Sequence, residues 1–318
     1  MSSNSDWKNG GPQMDRRGAL ECMVWAGTGM LWALSGGIPS SMFIGDAKAS
    51  EMAKNGFTFL QISDSHVGFN KPENPNALST LQEAIDKIKA MPVKPSFMIH
   101  TGDITHLSQD KQFDDAAQVI GSAGLPVFYV PGEHDVIDEG LGKSYLARYG
   151  KASAGSGWYS FDQNGVHFIG LVNVMNLKAG GLGNLGDEQL IWLENDVRGL
   201  SASTPIVIFA HVPLWTVYPE WGWGTEDGAR ALSLVKRFGS VTVLNGHIHQ
   251  IMQKVEGNVS FHTARSTAFP QPEPGEAPAP GPMKVPSEEL RKFLGITDVN
   301  FIKVNQPLAI IDKTLADA

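Results

Sequence analysis

Phe57-Thr58-Phe59-Leu60-Gln61-Ile62-Ser63-Asp64-Ser65-His66 is the stretch on which the fold is read. Its first six residues are mostly apolar and rich in aromatic and β-branched side chains, the composition of a buried strand, and a carboxylate and an imidazole follow at once. The same arrangement recurs along the chain. Apolar runs at 97–100, 127–130, 206–210 and 241–244 are followed by Gly102-Asp103, Gly132-Glu133-His134-Asp135, His211 and Gly246-His247-Ile248-His249. Helical periodicity fills the gaps, at 78–91, 109–123, 188–197 and 226–238. Strands alternating with helices predict an α/β fold. Two hairpins are also predicted, 158–162 with 166–171 around Gln163-Asn164-Gly165, and 252–255 with 259–262 around Gly257. The sheets are therefore mixed, and a sandwich of two mixed sheets fits better than a doubly wound one.

The 318 residues carry a net charge of −8, with 42% hydrophobic and 18% charged residues and one cysteine. This is the composition of a soluble globular protein. The acidic balance argues against a general nucleic-acid binder, whose affinity rests on Lys and Arg neutralising phosphates. Arg16 and Arg17 precede a run from Cys22 to Gly45 without charge, and Ala47-Lys48-Ala49 follows. A basic pair, a mildly apolar helix-forming segment and a small-x-small site form the layout of a secretory signal. The twin arginines resemble the Tat type, which implies the Tat export machinery as a partner and a periplasmic or otherwise exported protein. The alternative is an uncleaved membrane anchor. Residues 1–49 are thus an export signal and 50–318 the functional domain. Cleavage removes as many basic as acidic residues and the one cysteine, Cys22, so a metal in the mature domain must be held by nitrogen and oxygen.

Seven prolines crowd 270–286, which excludes a regular element and leaves an ordered surface loop or a flexible linker. Short apolar segments at 301–304 and 308–311 follow and are placed to rejoin the sheet. Gly181-Leu182-Gly183-Asn184-Leu185-Gly186 matches a dinucleotide-binding pattern, but the preceding strand ends too early and no ribose-binding carboxylate follows at the required distance. It reads as a glycine-rich loop with Asp187 capping the next helix. Gly142-Lys143-Ser144 lacks the first glycine of a phosphate-binding loop, because Ile137 stands there.

Asp-x-His and His-x-His segments in extended chain direct both side chains to one side, where they can reach one centre. Strand carboxyl ends are where α/β sheets place their sites. Imidazole mixed with carboxylate suits Zn, Fe or Mn, and seven or eight such groups exceed the needs of one ion with an open position. Two ions bridged by a carboxylate would use them. In order, Asp64-Ser65-His66, Gly102-Asp103, Gly132-Glu133-His134-Asp135, His211 and Gly246-His247-Ile248-His249 resemble the motif set of the calcineurin-like metallophosphoesterases. The resemblance implies a four-layer α/β/β/α sandwich and a phosphoesterase with two metal ions acting on a small phosphate ester through a metal-bridging hydroxide. It assigns Asp64, His66, Asp103 and His249 to the first metal and Asp103, Glu133, His211 and His247 to the second. His134 would contact the phosphoryl group or protonate the leaving oxygen, and Asp135 would orient it.

Glu133 stands where the family has Asn. With two divalent ions and a hydroxide, the usual two carboxylates leave one net positive charge, and Glu133 brings it to zero. A site of that charge suits singly charged phosphodiesters, or a trivalent ion such as Fe³⁺. The other readings are a Glu133 turned away or protonated, a broad phosphomonoesterase, or a non-catalytic binding protein on the same fold. His106 stands where purple acid phosphatases carry an iron-binding tyrosine, so no purple colour is expected. It is either an extra ligand or a hydrogen-bond partner of one. His100 and His167 are read as structural. Trp215, Trp221 and Trp223 form either a pocket wall or an apolar cap. His262 and Arg265 are placed to reach a substrate anion, Arg265 equally to form a salt bridge.

Overall fold

The computed structural model describes residues 30–35, 38–43, 56–302 and 308–317. Strand β3 (Gly56–Ile62) shows how its layers arise. Phe57 and Phe59 face one way, into an aromatic core with Phe97, Phe168 and Phe209, while Leu60 and Ile62 face the other, against Leu81, Ile85 and Phe113 of the flanking helices. A strand buried on both faces carries apolar side chains on both, which is why its sequence is mostly an apolar run, and its buried Gln61 is satisfied by Thr101 and the Asn245 carbonyl, each at 3.0 Å.

β3 pairs in parallel with β4 (Met98–His100), which pairs in parallel with β5 (Val127–Tyr129). On its other side it pairs antiparallel with β12 (Gly295–Ile302), followed by β13 (Leu308–Thr314), β1 (Met30–Ser35) and β2 (Ile38–Phe43), making seven strands. The second sheet has six, in the order β10 (Gln253–Glu256), β11 (Val259–Thr263), β9 (Val241–Asn245), β8 (Ile206–Ala210), β7 (Val166–Gly170) and β6 (Tyr159–Gln163). Helices α1 (Ala77–Lys89) and α2 (Asp110–Gly121) cover the first sheet, and α4 (Asp187–Val197) and α5 (Gly228–Val235) cover the second. The shorter α3 (Lys143–Tyr149) and α6 (Leu290–Phe293) lie in connections. The result is a four-layer α/β/β/α sandwich. Phe59 of the first sheet meets Phe168 of the second edge-on, with centroids 5.3 Å apart, so aromatic packing joins the sheets at the centre.

The β6–β7 hairpin turns at Asn164 and Gly165, both with positive φ, as an Asn-Gly turn requires. Several expectations are corrected. Where a helix-forming run was read, residues 30–35 and 38–43 are antiparallel strands added beside β13; Gly36 and Gly37 separate them in sequence, and glycine is a weak helix former. The rest of the export-signal reading, including Arg16, Arg17, Cys22 and Ala47-Lys48-Ala49, lies outside the described residues. Among the described residues no helix is long and apolar enough to cross a membrane. Asp187 is the first residue of α4 and does not cap it; Asp227 accepts the Leu185 and Gly186 N–H groups instead, each at 2.9 Å. The proline-rich segment is an irregular loop whose ends are joined by the Met283 N–H donating to the Pro270 carbonyl at 2.8 Å.

Candidate metal centre

The site lies at the carboxyl ends of five parallel strands drawn from both sheets: Asp64 follows β3, Asp103 β4, Glu133 β5, His211 β8 and His247 β9. Backbone hydrogen bonds stitch these ends together, from Asp64 N–H to Gly102 at 3.0 Å, His66 N–H to Asp103 at 2.8 Å and Gly246 N–H to His211 at 3.0 Å. Five of the converging residues, Asp64, His66, Asp103, His247 and His249, have φ between 39° and 71°. Left-handed backbone at non-glycine residues carries strain, and its concentration here marks a functional constraint.

Two nests of ligand atoms result. In one, Asp64, His66 and His249 lie with their donor atoms within 4.8 Å of one another; His249 Nε2 is 3.3 Å from Asp64 Oδ1, and His66 Nε2 is 3.4 Å from Asp103 Oδ2. In the other, His211 Nε2 is 2.8 Å from Glu133 Oε2 and 3.5 Å from the same Asp103 Oδ2, and His247 Nδ1 is 3.0 Å from Glu133 Oε1. Asp103 Oδ2 therefore faces both nests, the position of a bridging ligand. His211 Nε2, His247 Nδ1 and Nε2, and Glu133 Oε2 are buried without an aligned hydrogen bond. Close atoms whose lone pairs meet at a common point, and not each other's hydrogens, fit cations. The residues present thus fit two ions held by nitrogen and oxygen.

The remote ring nitrogens are fixed. His211 Nδ1–H donates to the Thr101 carbonyl at 2.7 Å and His249 Nδ1–H to Phe269 at 2.6 Å, which leaves each Nε2 facing the nests. Glu133 faces inward: burial opposes its charge, but His247 and His211 hold its carboxyl well below the usual range. The reading in which it is turned away is set aside. The motif glycines have a steric reason. A Cβ on Gly132 would lie 2.1 Å from Asp103 Oδ1, and one on Gly246 2.7 Å from Asp64 Oδ2.

Asp135 does not orient His134. Its carboxylate accepts the N–H groups of Ile104, Thr105 and Gly132 and the Thr105 hydroxyl, at 2.8–3.0 Å, and so ties the Asp103 loop to the Glu133 loop. Burial and the Asp103 charge push it up to about 7, against those donors. The residue that orients His134 is His106, whose carbonyl accepts His134 Nδ1–H at 2.8 Å and whose ring stacks on it at 4.9 Å. Burial would lower the His134 pKa, but Asp103, Glu133 and that carbonyl bond raise it above the ordinary value. His106 Nδ1 sits 3.4 Å from His66 Nδ1, on the side of that ring away from Asp103 and His249, which places it as His66's hydrogen-bond partner. The contact with His66 is the hydrogen-bond alternative read from the sequence, whereas the hold on His134 runs through a backbone carbonyl that no residue pattern announces.

His100 and His167 are satisfied. His100 Nδ1 accepts from Gly102 N–H and its Nε2–H donates to Ser65 at 2.9 Å, with burial pushing its pKa down to about 3. His167 bonds Asp162 and Asp196, each at 2.9 Å. His262 reaches no substrate: it is buried and bonded to Asp312 of β13 at 2.9 Å, between the sheets. Trp215 packs on Phe261 and Trp223 is fully buried, as in an apolar cap, while Trp221 is half-buried and meets Tyr218 and Trp223 edge-on. Arg265 forms no ion pair among the described residues; it donates to the Lys292 carbonyl and lines a cavity of about 560 Å³ that His249 also lines.

A sequence model described as calcineurin-like phosphoesterase matches residues 57–251. The chain belongs to that family. It is 23% identical over 223 residues to "Serine/threonine-protein phosphatase CPPED1" of Danio rerio, covering 61% of this chain and 70% of the other. It is 25% identical over 198 residues to "Glycerophosphodiester phosphodiesterase GpdQ" of Enterobacter lignolyticus, covering 60% and 69%. A crystal structure of a dimetal phosphatase from Danio rerio superposes with a TM-score of 0.61 at 15% identity, over 82% of this chain and all of that one. The chain is a hydrolase acting on phosphoric esters.

Proposed function

We propose that the chain is a binuclear metal-dependent phosphodiesterase, exported by way of its N-terminal twin-arginine segment. The observation that carries the diester preference is the Glu133 carboxylate between His211 and His247, a third carboxylate beside the bridging Asp103. Each added negative charge weakens attraction for a doubly charged monoester more than for a singly charged diester. Divalent cations, when bound, lower the pKa of water and offset charge on the phosphoryl oxygens. The chain does the rest. His134 N–H donates to Asp103 Oδ1 at 2.9 Å and holds the bridging carboxylate in place. Hydrolysis forms one P–O bond from water and breaks the bond to the leaving alcohol, whose oxygen takes the proton from His134 Nε2. That one relative is named a phosphodiesterase supports the reading; that another is named a protein phosphatase makes the monoester comparison necessary.

The test is hydrolysis of a matched aryl phosphomonoester and aryl phosphodiester by the purified protein loaded separately with Mn, Zn or Fe, in the wild type and in Glu133→Asn. The expected result is faster diester turnover with Mn or Zn, and a shift of the ratio toward the monoester in the variant. An unchanged ratio and unchanged metal identity in Glu133→Asn would overturn the charge argument. No turnover with any metal would put a ligand-binding role first.

A further inference from the structure

His211, His247 and His249 are not held alike. His211 and His249 are each fixed by a ring N–H bonded to a carbonyl, of Thr101 and Phe269 respectively. His247 has no such bond, since both its ring nitrogens are buried without one. Its ring is aimed by its backbone alone, and that backbone stands at φ 71°, in the left-handed region, which a residue other than glycine keeps only where its surroundings enforce it. Two contacts do so. The His247 N–H donates to the Asp64 carboxylate, at 3.1 and 3.2 Å to its two oxygens, and the His247 carbonyl accepts from Gln271 Nε2–H at 2.9 Å.

Gln271 opens the proline-rich loop, and a second glutamine ties it down. Gln250 Nε2 donates to the Gln271 carbonyl at 3.0 Å and to the Pro272 carbonyl at 2.7 Å, while the Gln250 carbonyl accepts the hydroxyl of Thr263 in β11 at 2.6 Å. All the atoms facing the two amides are carbonyl oxygens, which can only accept, so each amide must turn its nitrogen to them. Between the rest of the loop and the body lies the cavity of about 560 Å³, with Glu273 and Met283 on the loop side and Arg265 and Phe293 on the other. The loop's hold on the site therefore passes through its first residues. We propose that Gln271, backed by Gln250, is a positioning residue for one of the two ions: it sets the His247 peptide and so aims the His247 ring into the nest it shares with Glu133 and His211. The proposal rests on the two-ion reading of the centre and adds a dependence of one ion on residues outside the ligand set.

It is tested by dialysing the manganese-loaded full chain against falling free Mn²⁺, with bound manganese and its electron paramagnetic resonance spectrum followed in the wild type, Gln271→Met, Gln250→Met and Gln189→Met. Methionine keeps the length of glutamine and removes the donor. Gln189 of α4 is the control for lost stability, since its amide bonds the carbonyls of Val172 and Leu185, at 2.6 and 3.2 Å, and not the His247 peptide. Gln271→Met is expected to keep one ion as the wild type does and to hold the other about 10–100-fold more weakly, the usual cost of removing a partner behind a metal ligand. Its spectrum should pass to that of a single uncoupled ion at free Mn²⁺ where the wild type still shows a coupled pair. Gln250→Met should weaken the same ion by a smaller factor, and Gln189→Met should weaken neither. Both affinities within about threefold of wild type in Gln271→Met would overturn the proposal, and so would equal weakening of the two ions, because His247 serves only one nest. A wild type that holds one ion or none would overturn the two-ion reading itself.

Discussion

Replacing Gly132 with alanine tests whether the position of Asp103 governs the site. Gly132 has φ −96° and ψ 176°, which alanine adopts freely, so the perturbation is purely steric. The new Cβ would lie 2.1 Å from Asp103 Oδ1 and 2.3 Å from Asp103 N, where ordinary contact begins at 3.4 Å. The Asp103 carboxylate and backbone must retreat by about 1 Å, and a misplacement of that size costs about 10²-fold in rate. Overpacking of this kind also destabilises, by about 1–3 kcal/mol. The assay is metal content per chain, diester kcat and the thermal midpoint, beside Gly121→Ala, where nothing lies within 4 Å of the added carbon. Gly132→Ala should keep its circular dichroism, lose bound metal and fall about 10²-fold in kcat, while Gly121→Ala holds its activity and gains slightly in stability. A Gly132→Ala protein with full metal content and kcat within threefold of wild type would refute the reasoning.

His134→Asn should lower kcat by about 10²–10⁴ for an alkyl leaving group and much less for p-nitrophenolate, which needs no proton; equal losses in a leaving-group series would remove the general-acid role. Asp135→Ala leaves three buried N–H groups without an acceptor and should cost about 3 kcal/mol or more in urea unfolding; a loss under 1 kcal/mol would show that the two loops do not depend on it. Burial lowers the His167 pKa, but its bonds to Asp196 and Asp162 outweigh this and raise it in the folded state. Its contribution is therefore complete below the unfolded value near 6.5 and is lost as pH rises through the folded value. Thermal midpoints from pH 5.5 to 8.5 should show this decline in the wild type and a shallower one in His167→Gln.

Much of the fold was legible because strands buried on both faces are mostly apolar, and such strands end where ligands can converge. Asp64, His66, Asp103, Glu133, His211, His247 and His249 stand out as candidates because each lies within four residues of such a strand's end. What was not legible acts through groups that carry no side-chain signature. His106 holds His134 by its carbonyl, and Thr101 and Phe269 fix His211 and His249 by theirs. The resemblance implies that Asp135 orients His134, whereas the short helical turn 133–135 points its carboxylate back at Ile104 and Thr105. His262 was misread as well. Its partner Asp312 is fifty residues away on the other sheet, and sequence spacing gives no sign of such a pair.

The most direct test of the central claim is the number of manganese ions bound per chain after equilibrium dialysis, measured by plasma mass spectrometry in the wild type and in Asp103→Ala. Two nests sharing one carboxylate predict two ions per chain in the wild type and the weakening of both, not one, when Asp103 is removed. One ion or none in the wild type, or loss of a single ion in the variant, would contradict a centre bridged by Asp103.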